Sequence, residues 1–127
     1  MTNTARMLLV AAGLLLAAPA WCQGPAQIAK VPPQVRAEIQ TKLMAEKLEL
    51  TPEARTKVEA INQKYADQMQ PVLEGQMGLL ALMGEVRKLG EAKDGELKAV
   101  LTPAQFQTYE ASKDEMKERI KQRALEN

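Results

Sequence analysis

Few residues in this chain could carry acid–base or nucleophilic chemistry. Glu91 with Asp94, and Asp114 with Glu115, are paired acids of the sort that can divide the work of hydrolysis between a protonated and an ionised carboxyl. Ser112 is the one serine and Cys22 the one cysteine. Their settings do not support catalysis. The chain has no histidine, so the commonest general base is missing. Ser112 lies within a helical pattern and lacks a Gly-x-Ser-x-Gly turn. Cys22 has no sequence neighbour that would activate a thiol. The acid pairs lie among lysines in strongly polar stretches, without the apolar surroundings that shift a carboxyl pKa. No catalysis is expected.

Metal chemistry is equally poorly provided for. With no histidine, one cysteine and no Met-x-x-Met cluster, the chain offers no soft or borderline cage, and carboxylates alone would make weak, hydrated sites. The expectation is no metal and no cofactor. The balance of 17 Lys and Arg against 16 Asp and Glu argues against nucleic-acid binding, which leans on net positive charge.

Residues 1–20 have the form of a secretory signal peptide. Arg6 supplies the positive start, Met7 to Ala18 an unbroken apolar run, and Ala18-Pro19-Ala20 a small-x-small cleavage site. The run is too short to span a membrane, and no second apolar run follows it. Cleavage after Ala20 would remove Arg6 and leave sixteen bases against sixteen acids. A lone Cys22 in an oxidising compartment is either free or paired between chains. Lipidation is disfavoured, because bulky Trp21 stands where Gly or Ala is usual.

The element that positions everything else is Leu101-Thr102-Pro103-Ala104-Gln105, repeated in weaker form as Leu50-Thr51-Pro52-Glu53-Ala54. Thr102 suits an N-cap, its hydroxyl accepting from an unpaired backbone N–H three residues on. Pro103 suits the first helical position, where its missing N–H is no loss. Gln105 falls where it completes a capping box, and Leu101 can staple onto Phe106. Thr51 and Pro52 repeat the start, but Ala54 leaves the reciprocal bond unmade, so the second start should be the firmer.

Residues 21–33 lack periodicity and are expected to form a flexible lead-in. From Gln34, Val35, Ile39, Leu43 and Leu48 recur at helical intervals up to about Glu49. From Pro52, the stripe is Ala54, Val58, Ile61, Tyr65, Met69 and Val72, with Pro71 ending or kinking that helix near Gln70. Leu79, Leu80, Leu82, Met83, Val86 and Leu89 make a further stripe, interrupted by glycines. Gly90 is a plausible stop there, and Asp94-Gly95 a break. From Pro103, Phe106, Tyr109, Met116, Ile120 and Ala124 form the last stripe. The fold class is all-α: an antiparallel helical hairpin of three to four amphipathic helices with a kink near Pro71, in a single domain over 34–127.

Two Leu-Thr-Pro starts behind a signal peptide, in a small charged helical chain, resemble the LTxxQ-motif family of bacterial periplasmic proteins, the Spy/CpxP-like group. The likeness rests on Leu50, Thr51 and Pro52 in the first copy and on Leu101, Thr102, Pro103 and Gln105 in the second. The first copy has Ala54 in place of the Gln, and the segment between copies is shorter and richer in glycine than the family's long central helices. The resemblance implies a bent helical hairpin that dimerises into a concave cradle and acts in the periplasm as an ATP-independent, holdase-like chaperone. Its partners would be unfolded or misfolded envelope proteins. The alternative it implies is a regulatory partner docking on the periplasmic domain of an envelope-stress sensor in the membrane, with metal sensing a weaker third. Met44, Met69, Met77, Met83 and Met116 are the flexible side chains that either fill gaps between helices or face such partners.

Overall fold

Each of the two Thr-Pro dipeptides launches a helix of 23 residues. The computed structural model describes residues 24–126. Thr51 Oγ1 accepts from the Ala54 N–H (3.2 Å) at the head of α3 (Pro52–Glu74). At the head of α5 (Pro103–Leu125) the bonding is reciprocal. Thr102 Oγ1 accepts from the Gln105 N–H (3.2 Å), and Gln105 Oε1 accepts from the Thr102 N–H (3.0 Å). The Gln105 amide also donates to the Leu48 carbonyl (3.1 Å), an orphan acceptor at the end of α2 (Pro33–Leu48). One side chain thus ties the start of α5 to the end of α2. Thr102→Ala should cost about 1–1.5 kcal/mol and Thr51→Ala about half as much, measured by urea unfolding.

The remaining helices are α1 (Gly24–Ala29) and α4 (Leu79–Val100); the fold is all-α, with no strand among the described residues. Consecutive long helices run antiparallel. α3 packs between α2 and α4, and α5 lies on α2. The main core gathers at the Thr-Pro end, where Leu43, Met44, Leu48, Val58, Leu97, Leu101, Tyr109 and Met116 are buried, with Leu50, Ile61, Val100 and Phe106 packed around them. Phe106 and Tyr109 meet at 5.8 Å between ring centroids.

The structure departs from the sequence expectations at three places. The lead-in is not extended throughout: Gly24–Ala29 is helical, and Val31 just after it is fully buried. Arg36 explains why, since its guanidinium bonds the Ile28 carbonyl (3.2 Å) and the Ala66 carbonyl (2.9 Å), holding α1 against α3. Second, of the stop or kink expected at Pro71 the stop is not met, because α3 continues through Pro71 to Glu74. Pro71 removes a single N–H, and half-buried Val72 and Leu73 give the last turn some packing. Third, α4 is continuous through Gly84, Gly90 and Gly95. Glycine only weakens a helix, and tertiary contact supplies what local propensity lacks. Leu97 is fully buried, Lys64 pairs with Glu96 (2.8 Å), and Asp94 is held from α5.

The proposed signal peptide, its cleavage site and Cys22 lie outside the described residues.

Candidate functional site: an apolar hairpin tip above a cation-lined cleft

The tip follows from unequal helix lengths. α3 has 23 residues against 16 in α2, and α1 is tied to α3 at Gln70, whose amide donates to the Ala29 carbonyl (3.2 Å). Beyond that point the end of α3 and the start of α4 have chiefly each other to pack on. The connecting residues 75–78 hold two glycines, and α4 has Gly78 at its N-cap, with no side-chain cap bond and no acid in its first turn. A helix start without these supports is weak.

Every residue from Glu74 to Ala81 is exposed. Leu79 is 66 % exposed, Leu80 86 % and Met83 59 %, with Met77 at 39 %. Isolated exposed leucines are ordinary, but four large apolar side chains within seven residues make a contiguous patch. Of the methionines named from sequence, Met44 and Met116 belong to the core and Met69 is half-buried; Met77 and Met83 are left to face outward.

Below the tip, α4 and α5 diverge. They are joined near their common turn by Tyr109 Oη donating to Asp94 (2.8 Å) and by the Lys113–Asp94 ion pair (2.6 Å). Burial, and then the Asp94 bond, push the Tyr109 hydroxyl pKa up. Burial works to lower that of Lys113, but the bonds to Asp94 and Glu110 outweigh it and raise it. Past this junction a cleft of about 180 Å³ opens, walled by Met69 and Leu73 of α3, Val86 and Leu89 of α4, Ile28 of α1 and Ile120 of α5.

Three cations line this cleft, Arg36, Lys93 and Lys117, and no acid does. Arg36 is 3 % exposed, and burial lowers its pKa against the pull of Asp67 and Glu74. Lys93 is half-buried, and the burial of its ammonium lowers its pKa to about 8, with Asp94 opposing and Lys113 reinforcing the shift. Its one hydrogen bond is to Gln40 Oε1 (2.7 Å). A larger groove between α2 and α3, about 600 Å³, is lined by acids and bases of both signs, including Glu38, Lys42, Arg55 and Glu59; it is an ordinary solvated face.

The motif residues lie at the opposite end from the tip. Thr51, Pro52, Thr102 and Pro103 are exposed caps; Leu101 is in the core and Leu50 beside it; Gln105 is the cross-link. They position the helices and touch neither tip nor cleft. Glu91 and Asp94 are not brought together as an acid pair: Asp94 faces α5, while Glu91 is exposed with Arg87 3.8 Å away. Among the described residues no three Cys, Asp or Glu side chains converge as a metal site would require. Sequence reasoning missed Lys93, Arg36 and buried Asn62, whose amide bonds Thr41 Oγ1 (2.9 Å). A lysine inside the α4 apolar stripe, four residues after Leu89, was the available signal for the first.

A family model described as a domain of unknown function, DUF4890, matches residues 22–109, more than half of the chain. The chain belongs to the DUF4890 family. The matched region takes in both Thr-Pro starts, the whole α3–α4 tip and the cleft as far as Lys93, and ends at Tyr109. No curated protein matches the chain, and no solved structure does. None of the described helices is long and apolar enough to cross a membrane.

Proposed function

We propose that this chain is a periplasmic, holdase-like binding module that engages unfolded or misfolded envelope proteins through its hairpin tip, without catalysis. The observation that carries this reading is the patch of Met77, Leu79, Leu80 and Met83. Unbranched, polarisable Met side chains beside leucines suit a surface that accepts many apolar sequences. The patch sits on a helix start with no side-chain cap and no acid in its first turn, beside a connection holding two glycines, where adjustment to a client costs little. The Leu-Thr-Pro starts and their likeness to the LTxxQ group, together with the apolar leader, support the same reading and its location outside the cytoplasm.

The test is light scattering from a chemically denatured client diluted into near-equimolar protein. The native sequence should slow aggregation, and the double variant Leu80→Glu, Met83→Glu should lose most of that effect while keeping its helical circular dichroism and its unfolding midpoint. Equal protection by both proteins would remove the tip from the mechanism, and no protection by either would remove the holdase reading. Co-purification from envelope extract separates the alternative: one abundant sensor recovered with the protein means regulation, a mixture of outer-membrane and periplasmic proteins means chaperoning. The solution mass with and without reductant tests the homodimer that a cradle requires.

A further inference from the structure

The cleft between α4 and α5 has the composition of a binding site for a small amphipathic anion. Its walls are mostly aliphatic, with Tyr65 and Gln40 among them, its charged groups are all positive, and no Asp or Glu lies within salt-bridge distance of Arg36, Lys93 or Lys117 among the described residues. Two of these cations have separate roles. Arg36 is spent on the Ile28 and Ala66 carbonyls and fastens α1, and Lys117 is at the exposed rim. Lys93 makes a single bond, to Gln40 of α2. An ammonium offers three N–H donors, and Lys93 gives one to Gln40, leaving two with no protein acceptor beside mostly apolar walls; the residue is half-buried, so a ligand entering at the mouth can reach them. Burying a cation that way opposes folding unless something offsets it.

We propose that this cleft binds a medium-chain carboxylate, its aliphatic chain lying between Leu73, Val86 and Leu89 and its carboxylate accepting the free N–H bonds of Lys93. Size sets the chain class. At about 30 Å³ for a water-sized group, a 180 Å³ cleft takes about six such groups, so about six carbons of an eight- to ten-carbon chain would fill it and the remainder would extend past the mouth. Gly90 fits this arrangement: it lines the cleft, and a Cβ added there would meet nothing within 4 Å, so the space beside it is open. The occupant is free in solution and distinct from the polypeptide clients of the tip, so the two readings stand or fall separately.

Isothermal titration of the purified protein with decanoate, decanol and decyltrimethylammonium tests the proposal. Decanoate should bind at one site per chain. The neutral and cationic analogues should bind at least tenfold more weakly, and Lys93→Met should weaken decanoate at least tenfold. Gly90→Leu, which fills the cleft without changing charge and improves a helix position, should abolish binding. The tip variant Leu80→Glu, Met83→Glu should bind decanoate as the native sequence does. Absence of decanoate binding, equal affinity for decanol, or unchanged affinity in both Lys93→Met and Gly90→Leu would overturn it.

Discussion

Truncation of Leu97 to Ala should lower the unfolding free energy by about 3 kcal/mol, a large share of the roughly 5–15 kcal/mol that holds a domain of this size together. Leu97 is the one buried side chain of α4, and it enters the cluster of Leu43, Met44, Leu48 and Val58 without any exposure. Its removal deletes three carbons from a closed space and leaves α4 held by half-buried contacts, by the Lys64–Glu96 pair and by the bonds to Asp94. Solvated ion pairs cannot replace it, since each contributes well under about 1 kcal/mol. Leu82→Ala, at a half-buried site nearer the tip, should cost less than half as much. Urea denaturation followed by circular dichroism distinguishes the two. A loss below about 1 kcal/mol for Leu97→Ala would show that α4 is anchored elsewhere.

Replacement of Lys93 by Met should act in the opposite direction, stabilising the protein at pH 7 by about 2 kcal/mol after discounting for the part of the residue that touches water. For a chain of this length that is a rise of about 6–10 °C in Tm. Burial lowers the Lys93 pKa from its ordinary 10.5 to about 8. Below pH 8 both folded and unfolded chains carry the proton, and the folded state bears the whole cost of enclosing it. Between about 8 and 10.5 the unfolded chain binds the proton and the folded chain does not, so native stability rises with pH. Above 10.5 the penalty is gone. Tyr109 titrates in the opposing sense at high pH, because its folded-state pKa is raised. The informative quantity is therefore the difference between native protein and Lys93→Met, which should shrink steadily from pH 8 to 10.5. A difference that stays constant with pH, or a variant less stable than the native protein, would contradict an enclosed ammonium at this position.

What the sequence made legible was the part of the fold governed by local chemistry. Thr102, Pro103 and Gln105 carry their reasons within four residues, and the capping box forms as their types require. The stripes on α3 and α5 likewise place Val58, Tyr65, Tyr109, Met116 and Ile120 inside. Failures came where tertiary contact decides. Gly90 and Asp94-Gly95 have the local character of breaks, yet packing of Leu97 and the hold on Asp94 carry α4 through them. Pro71 suggested a stop or a kink near Gln70, and of the two the stop is not met, since α3 continues to Glu74. On α2 the expected stripe of Val35, Ile39, Leu43 and Leu48 is partly displaced by Ala37, Thr41 and Met44, because that helix is covered by both α3 and α5 and must bury two faces. The tip and the cleft were illegible for a related reason. An apolar periodicity says which residues seek cover, and only the relative lengths of α2 and α3 reveal that Leu79, Leu80 and Met83 find none.

The main core and the exposed patch stand at opposite ends of the molecule, and this separates two demands that usually compete. Side chains 77–83 are scarcely recruited in holding the helices together, so they are free to drift across related sequences without endangering the native state. Selection on that stretch would then follow whatever it meets outside the protein, whereas Leu97, Val58 and Gln105 answer only to the scaffold.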